Sequence, residues 1–348
     1  MPRRRLRLSA AVAAVAVACL TAVACSSAGS AGSSGSGSGG GSGGKQVKIA
    51  FFGYASANAY TQAALTGVKK IAAEHGATVH FFDPNMNSTT QVSQIEDAAT
   101  SGLYNAMVVY SVDGGAVVAA VREALQNGIK VTADFVPVGP DIDTTATQVK
   151  GIVGSAVVPI DQTGTDAGNL IVQACQGVSP CRVAYLPGDN TLPLEIDRTN
   201  HVMAVVKQHP NVQVVATVQS GYASNTGETA GQNVLTAHPN VNVIASSNDQ
   251  AIVGVALALK QRNDLGKIKL IGGGGTYQAV AGIKNGTWFG TVNYCPTSEA
   301  EAATRMVINA VQGKPVGATA INSLTICGAP QDLTKSNLGS YQGQWSAG

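Results

Sequence analysis

The chain lacks a strong excess of charge of either sign. Charged residues make up 12% of the sequence, with 22 basic and 20 acidic side chains. Four of the basic ones, Arg3, Arg4, Arg5 and Arg7, stand at the N-terminus, which leaves 18 basic against 20 acidic residues in the rest of the chain. Because that remainder has no basic patch, the sequence does not predict binding to nucleic acid.

Motifs for metals, phosphates and catalysis are also missing. No CxxC pair occurs, and none of the five His residues has metal-ligand spacing. Asp141-Ile142-Asp143 lacks EF-hand spacing and indicates a solvated turn. The run Gly272–Gly275 is not followed by Lys-Ser/Thr and does not match GxGxxG, which favours a flexible strand-end loop. With no recognisable catalytic triad, we expect no metal site, no cofactor and no enzymatic activity.

The N-terminal apolar run is too short to span a bilayer comfortably. It covers residues 8–20, follows the arginines and leads into small residues, so residues 1–24 predict a secretory signal peptide. Val23-Ala24-Cys25 resembles the bacterial lipobox, in which the cysteine is lipidated; ordinary secretion is the alternative. Residues 26–44 are all Gly, Ser or Ala, a composition typical of a disordered tether. We therefore expect a 25–44 tether and an extracytoplasmic domain held at the cell membrane through Cys25.

Few cysteines remain once Cys19 and Cys25 are set aside. They are Cys175, Cys181, Cys295 and Cys327. An even number in an exported domain favours two disulfides, with a zinc site as the rival interpretation.

What the chain does have is a regular alternation of strand-like and helix-like segments. Short β-branched runs at 47–52, 78–82 and 106–110 are followed by segments of helical periodicity, and the alternation continues to about residue 285. This pattern predicts an α/β fold with parallel sheets covered on both faces. Four or five units on each side of about residue 155 predict two similar lobes, with a ligand cleft beyond the carboxyl ends of their strands.

Several stretches resemble the ribose-binding-like family of sugar-type (type I) periplasmic binding proteins, the receptors of ABC transporters. The resemblance runs from Lys45 to about Cys327 and rests on the order and spacing of Asn58-Ala59-Tyr60, Gly67–Lys70, Ile129–Asp134, Asp197-Arg198, Gln232–Val241 and Ser246–Asp249. It implies two doubly wound parallel-sheet lobes joined by a hinge that the chain crosses three times.

The resemblance also implies where the lobes divide. The crossings should fall near Gly154–Ser155, Tyr294–Cys295 and Leu324–Cys327. The N-terminal lobe would be residues 45–154 plus 296–324, and the C-terminal lobe residues 155–295 plus 325–348. Adjacent crossings would allow a Cys295–Cys327 disulfide, while Cys175–Cys181 would join a helix end to the next strand.

The family pattern places a ligand site in the cleft. Its matching positions are Asn58, Tyr60, Asp134, Arg198, Tyr222 and Asn248. This chain departs from the pattern at Phe135, where Arg is common, at Gly274, where a second Asp is usual, at Tyr294, where a hinge Gln is common, and at Thr61, where a second ring is usual. These departures remove charge and add aromatic surface, so a less polar, deoxy or larger sugar-like ligand is expected.

Four of these residues have simpler interpretations. Asn248 could only cap its helix, Tyr60 could belong to the core, and Asp134 could serve a strand-end turn. Arg198 could pair with Glu195 or Asp197 on the same helix.

The function that the resemblance implies is capture of a sugar-like solute and its delivery to an ABC permease by a monomeric lipoprotein. The alternative is a lipoprotein sensor that presents its closed form to a membrane signalling receptor. The sequence leaves both open.

Overall fold

The computed structural model describes residues 46–348. The predicted signal peptide (1–24), the lipidation site Cys25 and the tether (25–44) lie outside the described residues. The strands are β1 Lys48–Phe52, β2 Thr78–Phe82, β3 Ala106–Val109, β4 Lys130–Phe135, β5 Gly154–Val157, β6 Cys181–Leu186, β7 Val212–Thr217, β8 Val243–Ser246, β9 Lys269–Gly274, β10 Gly290–Asn293, β11 Ala320–Asn322 and β12 Asp332–Thr334.

Helices lie between most of the strands. They are α1 Ala59–Glu74, α2 Ser88–Thr100, α3 Val118–Gln126, α4 Ile160–Ala174, α5 Pro193–Val206, α6 Ser224–Ala237, α7 Asp249–Gln261, α8 Tyr277–Asn285 and α9 Pro296–Val311, with a 3₁₀ turn at Ser323–Ile326. Within residues 46–348, no helix combines the length and the apolar character needed to cross a bilayer.

The first sheet is parallel, with strand order β11-β5-β4-β3-β1-β2. Because side chains alternate along a strand, Ile49 and Phe51 of β1 enter the core on one face while Ala50 and Phe52 enter the core on the other. Helices α1 and α9 pack together on the first face, and α2 and α3 on the second. We call this sheet and its helices the N-terminal lobe.

The second sheet repeats the arrangement. Its order is β12-β10-β9-β8-β6-β7, parallel except for β12, which runs antiparallel to β10. Helices α4 and α5 pack as one pair and α6 and α7 as another. We call this sheet and its helices the C-terminal lobe. The predicted α/β class with two doubly wound parallel-sheet lobes is confirmed.

The first crossing between the sheets comes later than the sequence suggested. Strand β5 pairs with β4 and β11, so the N-terminal sheet continues to Val157 and the boundary expected at residue 154 is three residues too early. Tyr294–Cys295 links β10 to α9, and the chain returns from β11 through the 3₁₀ turn to β12.

Two disulfides lie within the described residues. Cys175–Cys181 joins the end of α4 to the start of β6, with a Cα separation of 5.6 Å. Cys295–Cys327 joins the second and third crossings, with a Cα separation of 5.2 Å. This is the pairing that the family resemblance implied, and all four side chains are buried.

The glycine run differs from its expected form. Gly272, Gly273 and Gly274 are buried inside strand β9 rather than in a flexible loop. A Cβ atom at Gly272 would lie 2.0 Å from Asp249 Oδ1, and one at Gly273 would lie 2.4 Å from the Ser247 carbonyl oxygen. Glycine is required here because the start of α7 packs directly on the strand.

Candidate ligand-binding cleft

A small cavity of ≈ 40 Å³ lies where the two lobes face each other. It has room for about three water molecules. From the N-terminal lobe it is lined by Tyr54, Asn58, Tyr60, Tyr110 and Phe135. From the C-terminal lobe, the hinge and the C-terminal segment it is lined by Leu194, Glu195, Arg198, Tyr222, Ser247, Asn248, Gln250, Gly273, Tyr294 and Trp345.

The N-terminal wall of the cavity is a cluster of aromatic rings. The Phe135 ring lies 4.7 Å from Tyr60 and 5.0 Å from Tyr110, centroid to centroid, and Tyr110 stacks on Tyr54 at 5.9 Å. Phe135 ends β4 with a φ of 59°, a conformation that bulky residues adopt rarely and at a cost in strain. The position where Arg is common in the family thus carries a ring held by its neighbours.

The C-terminal wall carries a buried ion pair at the start of α5. Arg198 Nη1 donates to Glu195 Oε1, and its Nε donates to Thr163 Oγ1 at 3.3 Å. Glu195 Oε2 accepts from the Gly188 amide at 3.0 Å. The Arg198 and Glu195 side chains are 3% and 0% exposed, so each charge depends on the other. Arg198 therefore lines the cavity, and it also forms the ion pair with Glu195 that the sequence analysis gave as its simpler interpretation.

Two amide side chains also combine lining with capping. Asn248 Oδ1 accepts from the Ala251 amide at 2.8 Å at the start of α7, and its Nδ2 donates to the Gly221 carbonyl at 3.0 Å. Asn58 Oδ1 accepts from the Thr61 amide at 3.0 Å at the start of α1. Both amides are therefore fixed in position before any ligand arrives.

Rings from the two sides of the cleft touch one another. Tyr54 meets Tyr222 edge-on, with centroids 5.6 Å apart and planes at 87°. Tyr60 lies 5.3 Å from Trp345 and 6.4 Å from Tyr294. These contacts describe a closed cleft.

Asp134 does not line the cavity. It is fully buried, and neither of its carboxyl oxygens has a hydrogen-bond partner among residues 46–348. Burial raises the pKa of Asp134 well above its ordinary value. Burial and the nearby Asp134 charge also raise the pKa of Glu299, whose Oε1 accepts from the Tyr60 hydroxyl at 3.2 Å. Both carboxyl groups are buried and lie outside the cavity lining.

Gly274 also lies outside the lining, and Gly273 takes its place. A Cβ atom at Gly274 would lie 2.6 Å from Asp249 Oδ2 and 2.9 Å from Trp345 Cζ2. Trp345 Nε1 donates to the carbonyl oxygens of Gly274 at 2.9 Å and Tyr294 at 3.3 Å. The C-terminal segment therefore fills the space where an aspartate side chain would stand.

The remaining predicted residues line the cavity, together with several that the sequence analysis missed. Tyr54 and Tyr110 follow the carboxyl ends of β1 and β3, so the rule that ligands bind at strand ends could have found them. Trp345 stands in the last residues of the chain, beyond the region of resemblance, and no sequence signal pointed to it.

An outer cavity of ≈ 290 Å³ adjoins the inner one at the mouth of the cleft. Asn58 and Tyr222 line both cavities. Its other walls come from the N-terminal lobe, including Asn85 and Met86, and from the C-terminal lobe, including Asp189. The cleft thus offers more space outward than inward.

Two doubly wound lobes closed over a small lined cavity are the architecture of a type I periplasmic binding protein. Residues 49–315 match the family of the periplasmic binding protein domain, and the chain belongs to that family.

Known relatives span most of the chain. The ribose import binding protein of Bacillus subtilis (strain 168) is 27% identical over 254 residues, covering 73% of this chain and 78% of the relative. The D-xylose-binding periplasmic protein of Escherichia coli (strain K12) is 27% identical over 264 residues, covering 74% and 75%.

Solved structures show the same fold. An ABC transporter solute-binding protein from Mycobacterium smegmatis, solved with bound glycerol, has a TM-score of 0.73 at 23% identity, covering 87% of this chain and all of the other. One from Bacillus halodurans C-125, solved with bound myo-inositol, has a TM-score of 0.71 at 18% identity, covering 87% and 99%.

Proposed function

We propose that this protein is an extracytoplasmic solute-binding lipoprotein that captures a sugar-like small molecule by closing its lobes and delivers it to an ABC permease. The observation that carries the proposal is the cavity between the lobes, which is lined by aromatic rings from both sides, an amide from each lobe and a fixed ion pair from the C-terminal lobe. Rings suit the C–H faces of a sugar, and the polar groups suit its hydroxyls. The relatives named for ribose and xylose support the same class of ligand.

The ligand should be less polar than a pentose, or larger. Phe135 replaces the charge usual at its position, and the Arg198 charge is already shared with Glu195. The closed inner cavity, at ≈ 40 Å³, has no room for a sugar, so the lobes must separate to admit one. The outer cavity offers a place for additional groups on the ligand.

A thermal-shift screen of sugars, deoxysugars and polyols tests the binding role. A ligand at 100 times its Kd should stabilise the protein by about 2.7 kcal/mol. For a ligand that the screen identifies, calorimetry should show that Tyr222→Ala binds it more weakly by roughly 1–3 kcal/mol, because apolar contact is lost. Tyr277→Ala is the matched control, since Tyr277 is exposed on α8 and lies outside both cavities. Equal affinity of wild type and Tyr222→Ala would place the ligand elsewhere.

Anchoring is tested separately at Cys25. The wild-type protein should sediment with membranes, and Cys25→Ser should appear in the soluble fraction because it has no thiol to acylate. A Cys25→Ser protein that stays in the membrane fraction would contradict the lipid anchor and leave the ligand question untouched.

A further inference from the structure

Three metal-ligating side chains meet away from the cavity, on the outer surface near the hinge. His201 Nε2 lies 3.4 Å from Asp197 Oδ2 and 4.0 Å from Asp143 Oδ2. One ligand atom from each of the three residues lies within 4.8 Å of the others. The side chains are 29–37% exposed, so a hydrated ion could reach them. The three residues form no local motif because Asp143 is far from Asp197 and His201 in the sequence, so the sequence predicted no metal site.

The three residues come from both lobes. Asp143 lies in the connection between β4 and β5, two strands of the N-terminal sheet. Asp197 and His201 lie one turn apart on α5 of the C-terminal lobe, on the same face of the helix. Asp143 Oδ1 accepts from the Asp161 amide at 2.9 Å, which ties the loop to the start of α4.

Electrostatics at this position favour a cation. The Asp143 and Asp197 carboxylates both lie within 4.0 Å of His201 Nε2, and the amide of Asp161, a third acidic residue, donates to Asp143 Oδ1 at 2.9 Å. Asp197 Oδ2 is shielded from solvent and lies 3.4 Å from His201 Nε2 without a well-formed hydrogen bond. A metal ion between the two atoms would neutralise the carboxylates.

The donor set selects the kind of ion. One imidazole and two carboxylates suit zinc and similar transition metals, whereas Ca²⁺ and Mg²⁺ favour sites built entirely of oxygen. With ligands about 2.0–2.2 Å from a tetrahedral zinc ion, ligand atoms lie about 3.3–3.6 Å apart. The Asp197–His201 distance of 3.4 Å already fits this spacing, and Asp143 needs only a small movement.

We propose that Asp143, Asp197 and His201 form a zinc-type divalent metal site, completed by water, that joins the two lobes beside the hinge. Two ligands are present on α5 in any state of the protein, and the third is supplied by the N-terminal lobe. The metal therefore favours the arrangement in which the lobes lie together, and this role is independent of the identity of the cleft ligand.

Calorimetric titration of untagged, chelator-treated protein with ZnCl₂ tests the site. We expect one zinc ion per chain, and no comparable binding of Ca²⁺ or Mg²⁺. His201→Ala and Asp143→Asn should each weaken zinc binding at least about tenfold. His209→Ala is the matched control, because His209 lies just after the same helix and outside the cluster.

Circular dichroism of each metal-free variant establishes that it is folded before titration. Zinc binding of unchanged affinity in His201→Ala, or no zinc binding by the wild-type protein, would overturn the site. If only Asp143→Asn kept the wild-type affinity for zinc, the metal would not join the two lobes, since that variant removes only the metal-binding side chain of the N-terminal lobe.

Discussion

The N-terminal lobe contributes mainly aromatic rings to the cleft, whereas the charged side chains that line it, Glu195 and Arg198, belong to the C-terminal lobe. Tyr60 and Phe135 represent the first wall, and Glu195, Arg198 and Asn248 the second. Both walls stand at the carboxyl ends of sheets with the same doubly wound plan, so the plan does not set their chemistry. The difference indicates a ligand with an apolar face toward the N-terminal lobe and hydrogen-bonding groups toward the other.

The lobes also differ in how they hold buried carboxyl groups. Asp249 of the C-terminal lobe accepts from the Thr276 amide at 2.9 Å and from Thr291 Oγ1 at 2.8 Å, and burial raises its pKa to about 6. Asp134 of the N-terminal lobe is equally buried without a partner among residues 46–348, and burial raises its pKa well above the ordinary value. In the C-terminal lobe, the hydrogen bonds from Thr276 and Thr291 to the charged form oppose the effect of burial on Asp249.

The largest expected effect is the loss of stability on replacing Arg198 in the C-terminal wall of the cavity. Arg198→Ala leaves the buried Glu195 carboxylate without its counter-charge, and should lower the free energy of unfolding by about 3–5 kcal/mol, measured by urea denaturation. The variant should therefore weaken the fold as well as ligand binding.

The matched control replaces both charges. A Glu195→Met, Arg198→Met double variant removes the pair without stranding a charge, and should be more stable than Arg198→Ala. If Arg198→Ala unfolds at the wild-type urea concentration, the ion pair does not support the C-terminal wall.

The next largest effect is a dependence of the free energy of unfolding on pH, which comes from Asp249. Asp249 binds its proton more tightly in the folded state, with a pKa of about 6 against an ordinary 3.8, so its protonation favours folding. Its contribution is fully present below the ordinary pKa and is lost as pH rises through the folded pKa. Through this group the free energy of unfolding should fall by about 3 kcal/mol between about pH 4 and pH 7.

Asp249→Asn isolates that contribution. Subtracting the variant's unfolding free energy from that of the wild type at each pH should leave the fall expected for Asp249, because other acids contribute equally to both proteins. Two parallel pH curves would show that Asp249 keeps the same pKa in both states.

The alternation of strands and helices was enough to predict both sheets, since each β-branched run had to be buried between helices. The sequence was less informative where packing decides the outcome. Asp134 matched the family pattern, yet it is fully buried and does not line the cavity. Gly272–Gly274 was predicted to be a loop because glycine is common in turns. In the structure the missing side chains allow the start of α7 to pack directly on strand β9. Contacts between distant segments, such as Trp345 on Gly274, leave no local pattern in either partner.

A smaller effect tests the packing of the C-terminal segment. Gly274→Ala places a methyl group against Asp249 and Trp345, and should destabilise the protein by about 1–3 kcal/mol. Gly115→Ala is the control, because a Cβ atom there would meet nothing closer than 3.4 Å. Thermal unfolding compares the two; equal midpoints would mean that the segment can move aside at no cost.

The smallest expected effect is the loss of the hydrogen bond between Tyr60 and Glu299. Tyr60→Phe keeps the ring contacts with Phe135 and removes only the hydroxyl that donates to Glu299 at 3.2 Å. The cost should be about 1 kcal/mol, the net value of one hydrogen bond. A double-mutant cycle with Glu299→Met, which has no oxygen to accept the bond, separates this bond from the other effects of each substitution. If the two costs simply add, the hydroxyl and the carboxyl group are not coupled, and the N-terminal wall is held by ring packing alone.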